Sequence, residues 1–199
     1  MARYTGPKWK LSRRENVSLF DDDKWKKRVG SPGIHWTQRG RQSEYAEQFR
    51  EKQKVKRMYG MLERQFRRFF KMAGQAEGNT GLRLLQLLEL RLDNVVYRLG
   101  MAKTRSAARQ LVNHGHVTVN GNKVDIPSYI VSIGDEISIK TSTQKKDFVK
   151  NNAEELKSVK VPRWLDKNGN FAGKINREPI RDDMDQSIRE QLIVELYSK

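Results

Sequence analysis

The chain has no cysteine among its 199 residues, and it has only five prolines. Without thiols it can form neither disulfides nor thiolate metal sites. Apolar residues are scarce too. They make up 36% of the chain, and no run approaches the ~20 consecutive positions that a membrane-spanning helix needs. The start, MARYTGPKWK, lacks the apolar core of a secretory leader. A soluble, cytoplasmic protein is therefore expected. Acidic side chains are the other shortage. Forty Lys and Arg face 24 Asp and Glu, a net charge of +16. Self-repulsion on that scale opposes folding unless a polyanion relieves it, which makes nucleic acid the leading partner class. The excess is uneven. Residues 1–90 carry 21 basic and 10 acidic side chains, and residues 91–199 carry 19 and 14.

Residues 1–43 read as a basic arm. Gly30, Pro32, Gly33 and Gly40 are mixed with basic clusters, and Trp9, Trp25 and Trp36 are scattered without a stripe. A segment of this kind cannot bury enough surface to offset its chain entropy alone. Residues 44–90 read as a helical domain. Ser43 is a candidate N-cap, and Tyr45, Phe49, Val55, Tyr59, Leu62, Phe66 and Phe69 recur at near-helical spacing. Gly60 is expected to interrupt it. Opposite faces carry Arg50, Lys52, Lys54, Lys56 and Arg57, then Arg64, Arg67, Arg68 and Lys71. These read either as solvated faces or, since so many like charges stand without compensating Glu, as phosphate contacts. Leucines from Leu84 to Leu92 are too dense for an exposed helix.

The most informative block follows. RLDNVVYRLG (91–100) and TRSAARQLVNHGHVTVNG (104–121) read as two short helices, capped by Asp93 and Thr104, and a strand entering an Asn120-Gly121 hairpin turn. Lys123-Val124, Ile130–Ser132 and Ile137–Lys140 read as further strands, residues 144–160 as a polar helix, Asn168-Gly169 as a second hairpin, and Leu192–Leu196 as a strand or tail. The fold class expected is α+β: a helical N-terminal domain with an extended basic arm, then two short helices on a small mixed sheet at 91–155. Residues 156–199 are expected as a hairpin and tail packing back on the helical domain.

The 91–121 block resembles the αL RNA-binding motif named for the S-four ribosomal proteins. YTGPKWKLSRRE (4–15), YAEQFREKQKVKRMYGMLERQFRRFF (45–70), IPSYIVSIGDEISI (126–139) and EQLIVELYSK (190–199) are similar to the bacterial small-subunit protein of that family. The resemblance spans nearly the whole chain. It implies a structural component of the small (30S) subunit that binds the 5′ domain of ribosomal RNA at a multi-helix junction, nucleates assembly of the body and contributes to translational accuracy. Implied partners are the neighbouring S-three, S-five and S-twelve proteins. Some bacterial members also bind the messenger of their own operon, a partner the sequence leaves open. Many members hold zinc through four cysteines in the arm. Here Trp9, Ser12 and the Trp25–Ile34 region stand in their place, so the chain resembles the zinc-free branch, with no cofactor. The family's loop is altered to IHWTQRG (34–40).

Folded RNA is gripped through phosphates, 2′-hydroxyls and stacked bases, because the A-form major groove is too deep and narrow for side-chain readout. Following the motif residue by residue, the expected contacts are Arg91, Arg98, Lys103, Thr104, Arg105, Arg109, Asn113, His114, His116, Asn120 and Lys123. Arg3, Lys8, Lys10, Arg13 and Arg14 are expected from the arm, and Arg50, Lys54 and Arg57 from a helix face. Each has a plainer alternative. Arg91 could pair with Glu89 or Asp93, the histidines could cap or pack, Asn120 could serve turn geometry alone, and Tyr97 could be core.

Two other classes were weighed. An RNA-modifying enzyme carrying the motif as an accessory would need a further catalytic domain, yet no P-loop, HExxH or nucleophile elbow appears. The carboxylates Asp182, Asp183 and Asp185 read as a solvated loop. A DNA-binding protein would show a zinc finger or basic zipper, and neither is present.

Overall fold

The structure, a computed structural model, describes residues 4–20, 23–28, 30–33, 43–156 and 160–198. The chain divides into two compact units. Residues up to Gly81 together with those from Ser187 onward form the first, and Leu82–Gln186 form the second.

The first unit holds α1 (Lys8–Glu15), a short 3-10 turn (Asp23–Lys27), α2 (Glu44–Met58), α3 (Glu63–Gly74) and the terminal helix, α9 (Glu190–Ser198). Ser43 caps α2 as its sequence position suggests, its Oγ accepting from Ala46 N at 3.3 Å. Gly60 separates α2 from α3, which brings the apolar stripes of Val55 and Met58 and of Phe66 and Phe69 inward. The C-terminal segment is a helix and not a strand. Leu192, Ile193, Leu196 and Tyr197 fall at helical spacing, and α9 packs on α2. Tyr197 stacks on Phe70 with ring centroids 4.4 Å apart. Its hydroxyl donates to Glu63, which also accepts from Lys52 at 2.7 Å and Lys56 at 2.9 Å. Burial raises the Glu63 pKa, but these donors outweigh it and hold the carboxyl at about 2. The arm also departs from expectation. Its α1 is a formed helix lying against α2, with Ser12 and Leu19 buried.

The second unit begins with most of α4 (Thr80–Glu89), followed by α5 (Leu92–Arg98) and α6 (Arg105–Asn113). Strands β1 (Val117–Val119), β2 (Asn122–Lys123) and β3 (Glu136–Ile139) come next, then α7 (Thr141–Gln144), α8 (Asp147–Glu155), β4 (Leu165–Asn168) and β5 (Ala172–Ile175). One five-stranded sheet runs in the order β2-β1-β3-β5-β4, and every pairing is antiparallel, not mixed. The second hairpin therefore extends this sheet. The hairpin is thus part of the second unit, whereas α9 belongs to the first, where it packs on α2. The β1–β2 turn places Asn120 and Gly121 at φ 49° and 79°, the left-handed pair that a two-residue hairpin requires. At Gly173 the need is close approach, because a Cβ there would lie 2.9 Å from the Asp166 carbonyl and press into Leu99.

Other details differ from the sequence reading. Ile130–Val131 does not join the sheet. It lies along the α4–α5 connection, where Val131 N donates to Leu90 O and Leu92 N to Tyr129 O. Of the helix expected over 144–160 the structure forms α8, preceded by the one-turn α7 where Thr141, Ser142 and Thr143 are weak helix formers, and residues 157–159 lie outside the described residues. The core gathers Leu92, Val95, Val96, Leu99, Leu111, Val112, Ile137, Ile139 and Trp164 under the two helices. Each such side chain contributes about 1.5–3 kcal/mol on burial. That core fixes the backbone from which the candidate contacts project.

Candidate nucleic-acid interface

In the second unit the expected contacts converge on α5 and α6, but they are organised from behind by buried acids. Asp93 does not cap α5. Arg91 holds the N-cap position with no side-chain cap bond. The Asp93 carboxylate accepts from Arg91 Nε at 3.1 Å and Nη2 at 2.9 Å, and from Arg109 Nε at 2.8 Å and Nη2 at 2.6 Å. Arg91 is 1% exposed, so it acts as a core partner and not as a surface contact. Arg109 is half-buried.

Glu89, fully buried, performs the same task one turn away. It takes a fork from Arg98, Nε to Oε2 at 3.0 Å and Nη2 to Oε1 at 2.7 Å, and a bond from Asn94 Nδ2 at 2.7 Å. Asn94 Oδ1 in turn accepts from Arg105 Nε at 2.9 Å. Arg105 also lies over the Tyr97 ring, 4.6 Å from its centroid, so Tyr97 serves as a shelf for a guanidinium as well as a core neighbour. Three surface arginines, Arg98, Arg105 and Arg109, are thus held by two buried carboxylates and one amide. A planar guanidinium held in this way presents its charge in a fixed orientation.

The remaining motif residues run from just before α6 to the β1–β2 hairpin. Thr104 caps α6, its Oγ1 accepting from Ala107 N at 3.1 Å. Lys103 is exposed and paired with Glu155, and Lys123 is exposed near Asp125 at 3.6 Å. Asn113 and His114 are exposed at the end of α6. His114 meets His116 edge-on with centroids 6.0 Å apart, and His116 Nδ1 lies 3.0 Å from Thr143 Oγ1. Burial and then the nearby Lys146, His114 and Lys140 push the His116 pKa down. Asn120 serves turn and ladder together, its Nδ2 donating to Asp135 and its Oδ1 accepting from Glu136 N.

In the first unit the structure redistributes the expected contacts. The α2 cations have internal partners. Lys54 is buried, pairing with Glu51 at 2.7 Å and donating to Ser187 O. Arg50, at 3.3 Å, and Arg57 both pair with Glu15, whose carboxylate is 2% exposed. Burial raises the Glu15 pKa even against the pull of Arg50, Arg57 and Arg14. Charge counting failed here because the compensating acids lie on α1, on α3 or within the buried side of α2. The row that does face outward is Arg64, Arg67, Arg68 and Lys71 on α3, all exposed, with no carboxylate at ion-pair distance among the described residues. Their i, i+3, i+4, i+7 spacing was the signal for a single face. On α1, Lys8, Lys10 and Arg14 are exposed and Arg13 half-buried, whereas Arg3 and the 34–40 loop lie outside the described residues. Zinc does not fit. The chain has no thiol, and among the described residues no cluster of His, Asp and Glu is placed to hold a metal. No helix among them is long and apolar enough to cross a membrane.

Arginines anchored on buried acids, a helix start capped by Thr104 and an outward basic row on α3 define a basic, polyanion-binding protein with a helix-pair-on-sheet module. Known sequences make the class specific. Residues 3–89 match the model of the ribosomal protein S4/S9 N-terminal domain, and residues 90–137 match that of the S4 domain. The chain is 52% identical over 211 residues to small ribosomal subunit protein uS4 of Herpetosiphon aurantiacus, covering all of both chains. It is 52% identical to the protein of the same name from Opitutus terrae and 50% identical to that from Limosilactobacillus reuteri, again over full length. The chain belongs to the uS4 family of small ribosomal subunit proteins, structural proteins and not enzymes.

Proposed function

We propose that this chain is a structural component of the small ribosomal subunit and a primary binder of its RNA. The observation that carries the reading is full-length identity of about one half with proteins named for that subunit. In this reading the protein takes the multi-helix junction of the 5′ domain, nucleates the subunit body and contributes to decoding accuracy. Its protein neighbours are the S-three, S-five and S-twelve proteins, its own operon messenger is a further RNA partner, and its place is the cytoplasm. The module at 91–155 forms one contact through Arg98, Arg105, Arg109 and the residues around them. The arm and the α3 row form the other.

Charge brings the protein to RNA and counterion release supplies much of the affinity. With ~8 phosphates engaged, affinity should fall with log salt at a slope of about −6. The test is binding to a 5′-domain transcript across a salt series, with excess transfer RNA as competitor. Selective binding that weakens with salt supports the reading, and equal binding to both RNAs overturns it.

The same titration sorts the cations. Arg105→Ala should shift the slope by about one unit, and replacing Arg67 and Arg68 together by about two. Lys54→Ala should leave the slope unchanged, because its ammonium is buried between Glu51 and Ser187. A slope that moves with Lys54 and ignores Arg67 and Arg68 would return the contact face to α2.

A further inference from the structure

A cleft of about 370 Å³ lies between α1 and the 3-10 turn in the first unit. Its apolar walls include Trp9 and Trp25, and its rim is cationic: Lys10, Arg13, Lys27 and Arg28, with Lys24 over the Trp9 ring at 5.9 Å. No carboxylate lines it among the described residues. Trp9 is 46% exposed, so part of its indole surface is open to solvent beside these cations. An exposed indole beside several cations is poorly suited to protein packing. It suits a flat π-face tethered to phosphates. Single-stranded nucleic acid is held by that combination, with bases stacked on aromatic rings and the backbone following a positive groove. A free nucleotide shares the chemistry, but cations spread over two segments favour consecutive phosphates of a strand.

We infer that this cleft is a stacking site for an unpaired RNA nucleotide, with Trp9 as the platform and Arg13, Lys27 and Arg28 holding the flanking phosphates. The inference rests on the RNA-binding reading above and adds to it a base-dependent contact in the arm.

The test uses the full chain and three probes: an oligoadenylate of about nine nucleotides, an abasic strand with the same number of phosphates, and the 5′-domain transcript. Trp9→Ala should weaken oligoadenylate binding by about 5- to 100-fold, the range that loss of one stacked base produces. Trp9→Phe should restore most of the loss, and neither variant should alter abasic-strand binding. Because Trp9 is half exposed, both variants should retain the wild-type unfolding transition, which checks that the effect is local. Equal weakening on the abasic strand, or no weakening on oligoadenylate, overturns the stacking site. Displacement of the oligonucleotide by adenosine monophosphate at comparable concentration also overturns it, in favour of a free-nucleotide pocket. The two readings separate cleanly. Loss of selectivity for the transcript with the oligoadenylate effect intact removes the ribosomal reading and leaves the cleft.

Discussion

Asp93→Ala should destabilise the second unit by about 3–5 kcal/mol, the cost of removing one partner from a buried ion pair. Arg91 is the reason. Its side chain is 2% exposed, and the fork onto Asp93 carries its charge inside the fold. Without the carboxylate that guanidinium is buried beside Leu92 and Val95 with its counter-charge gone, and desolvation is no longer offset. Denaturant unfolding would measure the loss as a lower midpoint. Asp93→Asn should fall between, since an amide oxygen can still accept but carries no charge. If Asp93→Ala unfolds like wild type, the Arg91–Asp93–Arg109 network is not what holds the α5–α6 pair.

The same substitution has a second readout at the surface. Arg109 loses both of its bonds to Asp93, so its guanidinium is held less firmly than by the fork. Its charge remains, and the salt slope for RNA should therefore stay nearly constant while affinity falls. The gap between those two quantities is the contribution of preorganisation, because a side chain ordered before binding need not lose its rotamer freedom on contact. Glu89 gives an independent case through Arg98 and, by way of Asn94, Arg105.

These networks also show where the sequence was legible. The caps at Ser43 and Thr104, the Asn120-Gly121 turn and the helix pair that precedes it could be read, because each is specified within about four residues. The α9 helix was legible in principle from the spacing of Leu192, Ile193 and Leu196, though the segment is short enough to suit a strand. The roles of the cations were not legible. Arg98 finds Glu89 nine residues away, Arg109 finds Asp93 sixteen away, and Arg50 and Arg57 find Glu15 across 35 and 42. No periodic pattern encodes such pairings. A count of local charge therefore could not show that the α2 cations have acid partners within the first unit while the α3 row stands clear of Glu63.

Glu15→Ala should release α1 from α2, at a cost of about 2 kcal/mol to the docked arm. The value lies below that of a fully buried pair because Arg50 and Arg57 keep 29% and 24% of their side-chain exposure. Arg14, Arg50 and Arg57 would then face one another with the central carboxylate missing, and burial together with Arg14 and Arg57 already pushes the Arg50 pKa down. Repulsion among cations is screened by salt. The variant itself should therefore gain stability between low and high ionic strength, and its deficit against wild type should shrink. Limited proteolysis within Lys8–Glu15 reports the release directly: faster cleavage in the variant, slowed again at high salt. The release should also alter RNA binding in a specific direction. Two cations freed from Glu15 become available to phosphate, so the salt slope should steepen by up to two units while the arm, no longer ordered in advance, lowers affinity at physiological salt. A variant with an unchanged slope and an intact α1 would mean that Glu15 is a bystander, and that the arm is held to α2 by Ser12, Leu19 and their apolar neighbours alone.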